Sequence, residues 1–172
     1  MAALERRAVL EVRAFGRRLE GIAAPYGSAT RVADFTETIL PGAFRETLAD
    51  GHDIVALVDH DRTRLLARTR SGSLRLGEDA TGLRFELDVP DTTAGRDVLA
   101  LAERGDLGGM SFGFRARPGG ERWEGRRREL RAVDLLEISV VHAWPAYSAT
   151  EVHARSKIPP RLAALRRYLE TL

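Results

Sequence analysis

Gly105-Asp106-Leu107-Gly108-Gly109-Met110-Ser111-Phe112-Gly113-Phe114 is a glycine-rich approach that runs into an alternation of small and aromatic residues. Alternation with period two is the pattern of a strand, whose successive side chains point to opposite faces. Phe112 and Phe114 therefore share one face and Ser111 lies on the other. A serine hydroxyl is a weak nucleophile until a neighbouring base accepts its proton. A candidate base stands far upstream, His60 in Val58-Asp59-His60-Asp61, and a candidate carboxylate downstream, Glu137 in Leu135-Leu136-Glu137-Ile138-Ser139. The three residue types together predict a hydrolase, provided the fold joins them.

Outward from this strand the chain reads as many short strands with a few helices inserted. Short apolar or alternating stretches predict strands at Val9–Val12, Leu19–Ala24, Phe35–Leu40, Ile54–Val58, Leu65–Arg68 and Ser73–Leu76. Gly82–Val89 alternates strictly and is the clearest of them. Glu121–Glu124 and Glu129–Val133 form a charged hairpin with its tip at Gly125, and Leu135–Ala143 is an apolar strand that carries Glu137. Pro41 suits a helix first turn, which predicts a helix over Pro41–Ala49. Asp91-Thr92-Thr93-Ala94 can cap a second helix that Gly105 ends, with Val98, Leu101 and Ala102 on one face. Residues 156–172 are predicted as a Pro159-Pro160 spacer and a short amphipathic helix, apart from a main domain over 1–155. Strands and helices do not alternate, so a doubly wound parallel sheet is not expected. The expected class is mainly β with inserted helices (α+β), a largely antiparallel barrel.

Composition narrows the function. The 172 residues suffice for a sizeable core, and 44% hydrophobic with 30% charged residues is a globular balance. No apolar run reaches the roughly 18 residues that span a bilayer, and no apolar stretch follows the basic pair Arg6-Arg7 as a secretory leader requires. The absence of cysteine excludes disulfides, a thiol nucleophile and cysteine-bound zinc. Lys157 is the only lysine, and the arginines are interleaved with carboxylates at a net charge of +2. That pattern argues against a phosphate-binding stripe, so neither nucleic acid nor membrane is expected as a partner. Arg126-Arg127-Arg128, the one basic cluster, is expected to be a solvated hairpin.

An ordered set of pieces resembles a known family. In chain order these are Gly21-Ile22-Ala23-Ala24 with Tyr26, Glu37-Thr38-Ile39-Leu40-Pro41-Gly42-Ala43-Phe44 and Leu57-Val58-Asp59-His60-Asp61. Then come Gly72-Ser73-Leu74-Arg75-Leu76 with Asp79 and Gly82-Leu83, and Arg104-Gly105-Asp106-Leu107 before Met110-Ser111-Phe112-Gly113-Phe114. Leu136-Glu137-Ile138-Ser139-Val140 and Pro145-Ala146-Tyr147 complete the set. From about Leu19 to Thr150 the chain resembles the prohead (capsid maturation) serine proteases of tailed bacteriophages, also found in gene transfer agents. These are similar to the herpesvirus assemblin proteases, which implies an antiparallel β-barrel surrounded by helices. The implied activity is endoproteolysis of scaffold segments and of the capsid protein's N-terminal region, often with self-cleavage. The implied partners are the major capsid protein and scaffold, with a candidate homodimer. The implied location is the immature capsid in the cytoplasm of a bacterial host. No cofactor is implied. By match of motif Ser111 is the nucleophile, His60 the general base and Glu137 the third member, in preference to His142.

Two other readings are open to the residues themselves. His52, Asp53, Asp59, His60 and Asp61 cluster in sequence and could hold a metal for a hydrolase, though their spacing fits no helical ligand motif. An inactive relative that only binds capsid or scaffold chains would also keep this framework. An active enzyme additionally needs oxyanion donors. The backbone N–H groups near Gly108-Gly109, or those of a neighbouring loop, are the candidates.

Overall fold

The structure, a computed structural model, describes residues 4–9 and 11–143. The 155/156 boundary, the C-terminal helix and Trp144, Pro145 and Tyr147 lie outside these residues. Among the described residues thirteen strands form three sheets. The first runs β1 (Glu5–Val9), β10 (Gly109–Ala116), β13 (Val133–Val141), β6 (Val55–Val58) and β7 (Asp61–Arg68). The second runs β2 (Glu11–Phe15), β3 (Arg18–Pro25), β9 (Gly82–Asp88) and β8 (Leu74–Glu78). The third runs β11 (Glu121–Glu124), β12 (Arg127–Leu130), β5 (Phe35–Ile39) and β4 (Thr30–Val32). Pairing is antiparallel except between β13 and β6 and between β12 and β5. The fold is mainly β with few helices, as expected. Among the described residues no sheet closes on itself, so the hydrogen bonding is that of three open sheets.

The helices are α1 (Arg45–Ala49) and α2 (Thr93–Arg104). The Thr92 side chain accepts from the Gly95 N–H to start α2, and Gly105, in the left-handed region, ends it. α1 begins four residues later than the proline predicts. Residues 41–44 are instead a turn: Gly42 has φ +86°, and Ala43 and Arg45 donate to the carbonyls of Leu40 and Gly42. Val9–Val12, expected as one strand, is divided between β1 and β2, which pair in different sheets.

One core serves all three sheets. Met110, Phe112 and Phe114 of β10 point into it with Phe44 and Phe85, all essentially without exposure. Phe112 meets Phe44 edge-on at 5.9 Å between ring centroids and stacks on Phe114 at 5.5 Å. On β13 the buried apolar residues change parity, from Val133 and Leu135 to Ile138 and Val140. The pairing explains it: Phe114 faces Leu135 but Gly113 faces Glu137, so Leu136 is an extra residue. Such a β-bulge turns the side chains beyond it to the other face. The backbone of Leu135 is held from outside the sheet. Its N–H donates to Thr47 Oγ1 at 3.0 Å, and its carbonyl accepts from His52 Nε2 at 2.8 Å.

A buried ionic network joins β1 to the third sheet. Arg7 binds Glu37 through two hydrogen bonds of 2.5 and 2.8 Å, and Arg128 reaches Glu37, Glu5 and Glu121. Burial acts to raise the Glu5 carboxyl pKa, but Arg128 and Arg7 hold it below its ordinary value. Arg128 is thus buried among carboxylates and not part of a solvated hairpin, because β12 pairs edge to edge with β5. Thr47→Val removes the acceptor of a buried N–H. The expected loss is about 1–3 kcal/mol, read as a lower midpoint in urea unfolding.

Candidate active site

The bulge places Ser111, Gly113, Glu137 and Ser139 on one face of the first sheet, opposite the core. Ser111 pairs with Ser139, and Gly113 with Glu137. A methyl group at Gly113 would lie 2.7 Å from Glu137 Cγ and Oε1, so only glycine leaves room for that carboxylate. Ser139 Oγ is fully buried and has no partner among the described residues. It stands as a spare hydroxyl beside Ser111. Its signal was present in the sequence, two residues after Glu137 in the same strand, but it draws attention only once the parity change is seen.

His60 arrives from the far side of the sheet. Asp59 and His60 are the two residues between β6 and β7, with φ of +50° and +62°. Positive φ at both central positions defines a type I′ hairpin turn, which glycine and asparagine ordinarily fill. Asp59 ties this turn to the end of β13. Its N–H donates to the Val140 carbonyl, and its side chain accepts from the His142 N–H at 2.9 Å and pairs with the His142 ring. Burial acts to raise the Asp59 pKa, and the contacts with His142 and Arg64 bring it below its ordinary value. His142 is therefore a partner of Asp59, and Glu137 is the partner of His60.

His60 Nδ1 lies 2.7 Å from Glu137 Oε1. Burial acts to raise the Glu137 pKa, yet hydrogen bonds and charge from His60 and then Arg6 hold it below the ordinary carboxyl value. An ionised carboxylate only accepts, so Nδ1 is the nitrogen that donates to Glu137, and in a neutral imidazole the lone pair is then on Nε2. Arg6 Nε donates to the same Oε1 at 3.1 Å. Glu137 thus has both a histidine and an arginine partner.

Ser111 is 3% exposed and its hydroxyl donates to the Arg7 carbonyl of β1 at 2.8 Å. Among the described residues it makes no hydrogen bond to His60. The proton that His60 would take is directed to a backbone oxygen of the N-terminal strand. The Gly108 N–H, an expected oxyanion donor, is already given to the Val141 carbonyl at 2.8 Å. Beside Glu137 a groove of about 370 Å³ follows the open face over Val55, Leu57, Leu65 and Leu136. Among the described residues the cluster that could have held a metal does not form. Asp53 pairs with Arg68, Asp59 with His142, and His52 with Leu135, and no three such groups converge among the described residues.

A β scaffold that brings a serine and a buried carboxylate on neighbouring strands together with a histidine on an adjoining turn has the parts of a serine hydrolase. The chain belongs to the caudovirus prohead serine protease family, whose sequence pattern it matches over residues 3–160. Its fold is similar to that of the capsid assembly protease gp21 of bacteriophage T4, with a TM-score of 0.55 at 9% identity, over 81% of this chain and 96% of that one. No curated protein matches it in sequence.

Gly113→Ala displaces the Glu137 carboxylate without touching the core, so proteolysis should fall roughly 10²-fold while the circular dichroism spectrum is unchanged. Glu137 has a lowered pKa, so the stability it contributes is complete above the ordinary value of 4.5 and lost as the pH falls below it. Thermal unfolding of wild type and Glu137→Gln should differ above that pH and converge in acid.

Proposed function

We infer that this protein is a serine endopeptidase of capsid maturation, with Ser111 as nucleophile, His60 as general base and Glu137 as its orienting acid. The His60–Glu137 pair, on the sheet face that carries Ser111, supports this assignment most directly. In the reaction His60 Nε2 takes the Ser111 proton as Oγ attacks a peptide carbonyl carbon, then gives it to the leaving amine. Water hydrolyses the resulting ester by the same route. Glu137 fixes the tautomer and stabilises the imidazolium. The proposed substrates are scaffold segments and the N-terminal region of the major capsid protein, cut inside the immature capsid within the bacterial host. The groove beside Glu137 offers an extended chain a path to the site. The proposed architecture of the main domain is an assemblin-type barrel, supported by the core that the three sheets share.

The Ser111–Arg7 contact favours a resting form, in which β1 covers the nucleophile until it is withdrawn or cut. Self-cleavage within the N-terminal strand is therefore part of the proposal. The test is co-production with a candidate major capsid protein, followed by intact mass measurement of every product. Wild type should yield defined truncations, and Ser111→Ala should lower their rate of formation by about 10⁶-fold. Identical masses in both samples would overturn the assignment.

A further inference from the structure

β1 lies against β10 as an added antiparallel strand, with Arg7 opposite Phe112 and Ala8 opposite Ser111. Strand addition is a general way for an enzyme or receptor to bind an extended peptide: the backbone gives affinity and side-chain pockets give selectivity. The backbone carbonyl that Ser111 Oγ reaches is that of Arg7. The Arg7 side chain leaves the strand on the face opposite Ser111 and enters a closed site between the sheets. There its guanidinium meets Glu37, which is 2% exposed, and lies 5.5 Å from the centroid of the Phe114 ring. Ser28, Thr30, Ile39 and Phe112 complete the walls, with a residual void of about 20 Å³ around the bound side chain.

The charge of this site is not self-sufficient. With β1 withdrawn, Glu5 and Arg7 leave together, and Glu37 and Glu121 remain against Arg128 alone. Glu37 Oε2 keeps Arg128, at 2.9 Å, but Oε1 loses its bond to Arg7. A buried carboxylate oxygen without a donor is costly, so the vacated site favours an incoming cation. A planar guanidinium satisfies both oxygens at once.

We propose that the Glu37 site is the subsite for the residue on the acyl side of the scissile bond, that it selects arginine or lysine, and that the first bond it presents is the chain's own Arg7–Ala8. This rests on the serine-protease assignment. In the step, Ser111 Oγ bonds to the Arg7 carbonyl carbon, the C–N bond to Ala8 breaks, and His60 hands the serine's proton to the departing Ala8 amine. Water then releases the Arg7 carboxylate.

The test uses the full chain purified from cells that also make its capsid protein. It is incubated with peptides covering residues 4–13 that carry Arg, Lys, Ala or Glu at position 7, and cut sites are mapped by mass. Cleavage after position 7 should favour arginine over alanine by roughly 10²-fold in kcat/KM, with lysine between them and glutamate uncut. The protein's own new N-terminus should be Ala8. Glu37→Gln should lower the ratio of arginine- to alanine-peptide kcat/KM toward one; if that variant does not fold, the peptide series on wild type decides. Ser111-dependent cutting that is indifferent to position 7, or that maps to another bond, overturns the subsite and leaves the protease assignment standing. No Ser111-dependent cutting of peptide or capsid protein overturns the assignment, and the subsite with it.

Discussion

Leu136 has no partner across β10, and the course of β13 on either side of it depends on that surplus. Before it, Val133 and Leu135 are buried; after it, Ile138 and Val140 are. Without the extra residue, strict alternation from Leu135 would carry Glu137 and Ser139 into the apolar core, where a carboxylate finds no solvation. With it, the same strand supplies core residues at both ends and sets a carboxylate beside Ser111. The Thr47 hydroxyl and the His52 ring satisfy the backbone of Leu135 at this irregular point, so the bulge is braced by groups outside the sheet.

The site also stores conformational cost. Asp59 and His60 are both left-handed without being glycine, a state on the order of 1–3 kcal/mol less favourable for such residues. Contacts from Val140 and His142 to Asp59, and from Glu137 to His60, hold the turn in place. The return is that a two-residue turn projects an imidazole back over its own sheet, to a carboxylate two strands from β7. A longer loop would reach the same point with less precision.

β1 is built unlike the rest of the first sheet. It is an edge strand, yet it contributes Arg7 and Glu5 to a buried network with Glu37, Glu121 and Arg128, and Arg6 to Glu137. Apolar residues of similar size would seal an edge at lower desolvation cost. Buried charge pairs are more particular about register and partner than apolar contacts are. The same segment thereby covers Ser111 and lies along it as an extended chain.

Much of this was legible in the amino-acid order. Period-two alternation marked Gly82–Asp88 and the strand around Ser111, and Thr92 and Gly105 marked the ends of α2, because these signals are local. The family pattern singled out Ser111, His60 and Glu137, and the fold brings His60 to Glu137 on the face of Ser111. The bulge could have been read from the parity change in Val133, Leu135, Ile138 and Val140, since burial enforces parity. Three things belonged to the tertiary structure alone. The late start of α1 is held by Glu78, whose carboxylate accepts from the Phe44 N–H across 34 residues. The burial of Arg128 depends on its strand pairing with β5, some 90 residues away in sequence. The covering of Ser111 depends on β1 crossing to β10, over a separation of 104 residues. Local order determines which residues can form a strand and which carry reactive groups. Which strand lies beside them, and so which proton points where, is decided by contacts between segments that no local pattern encodes.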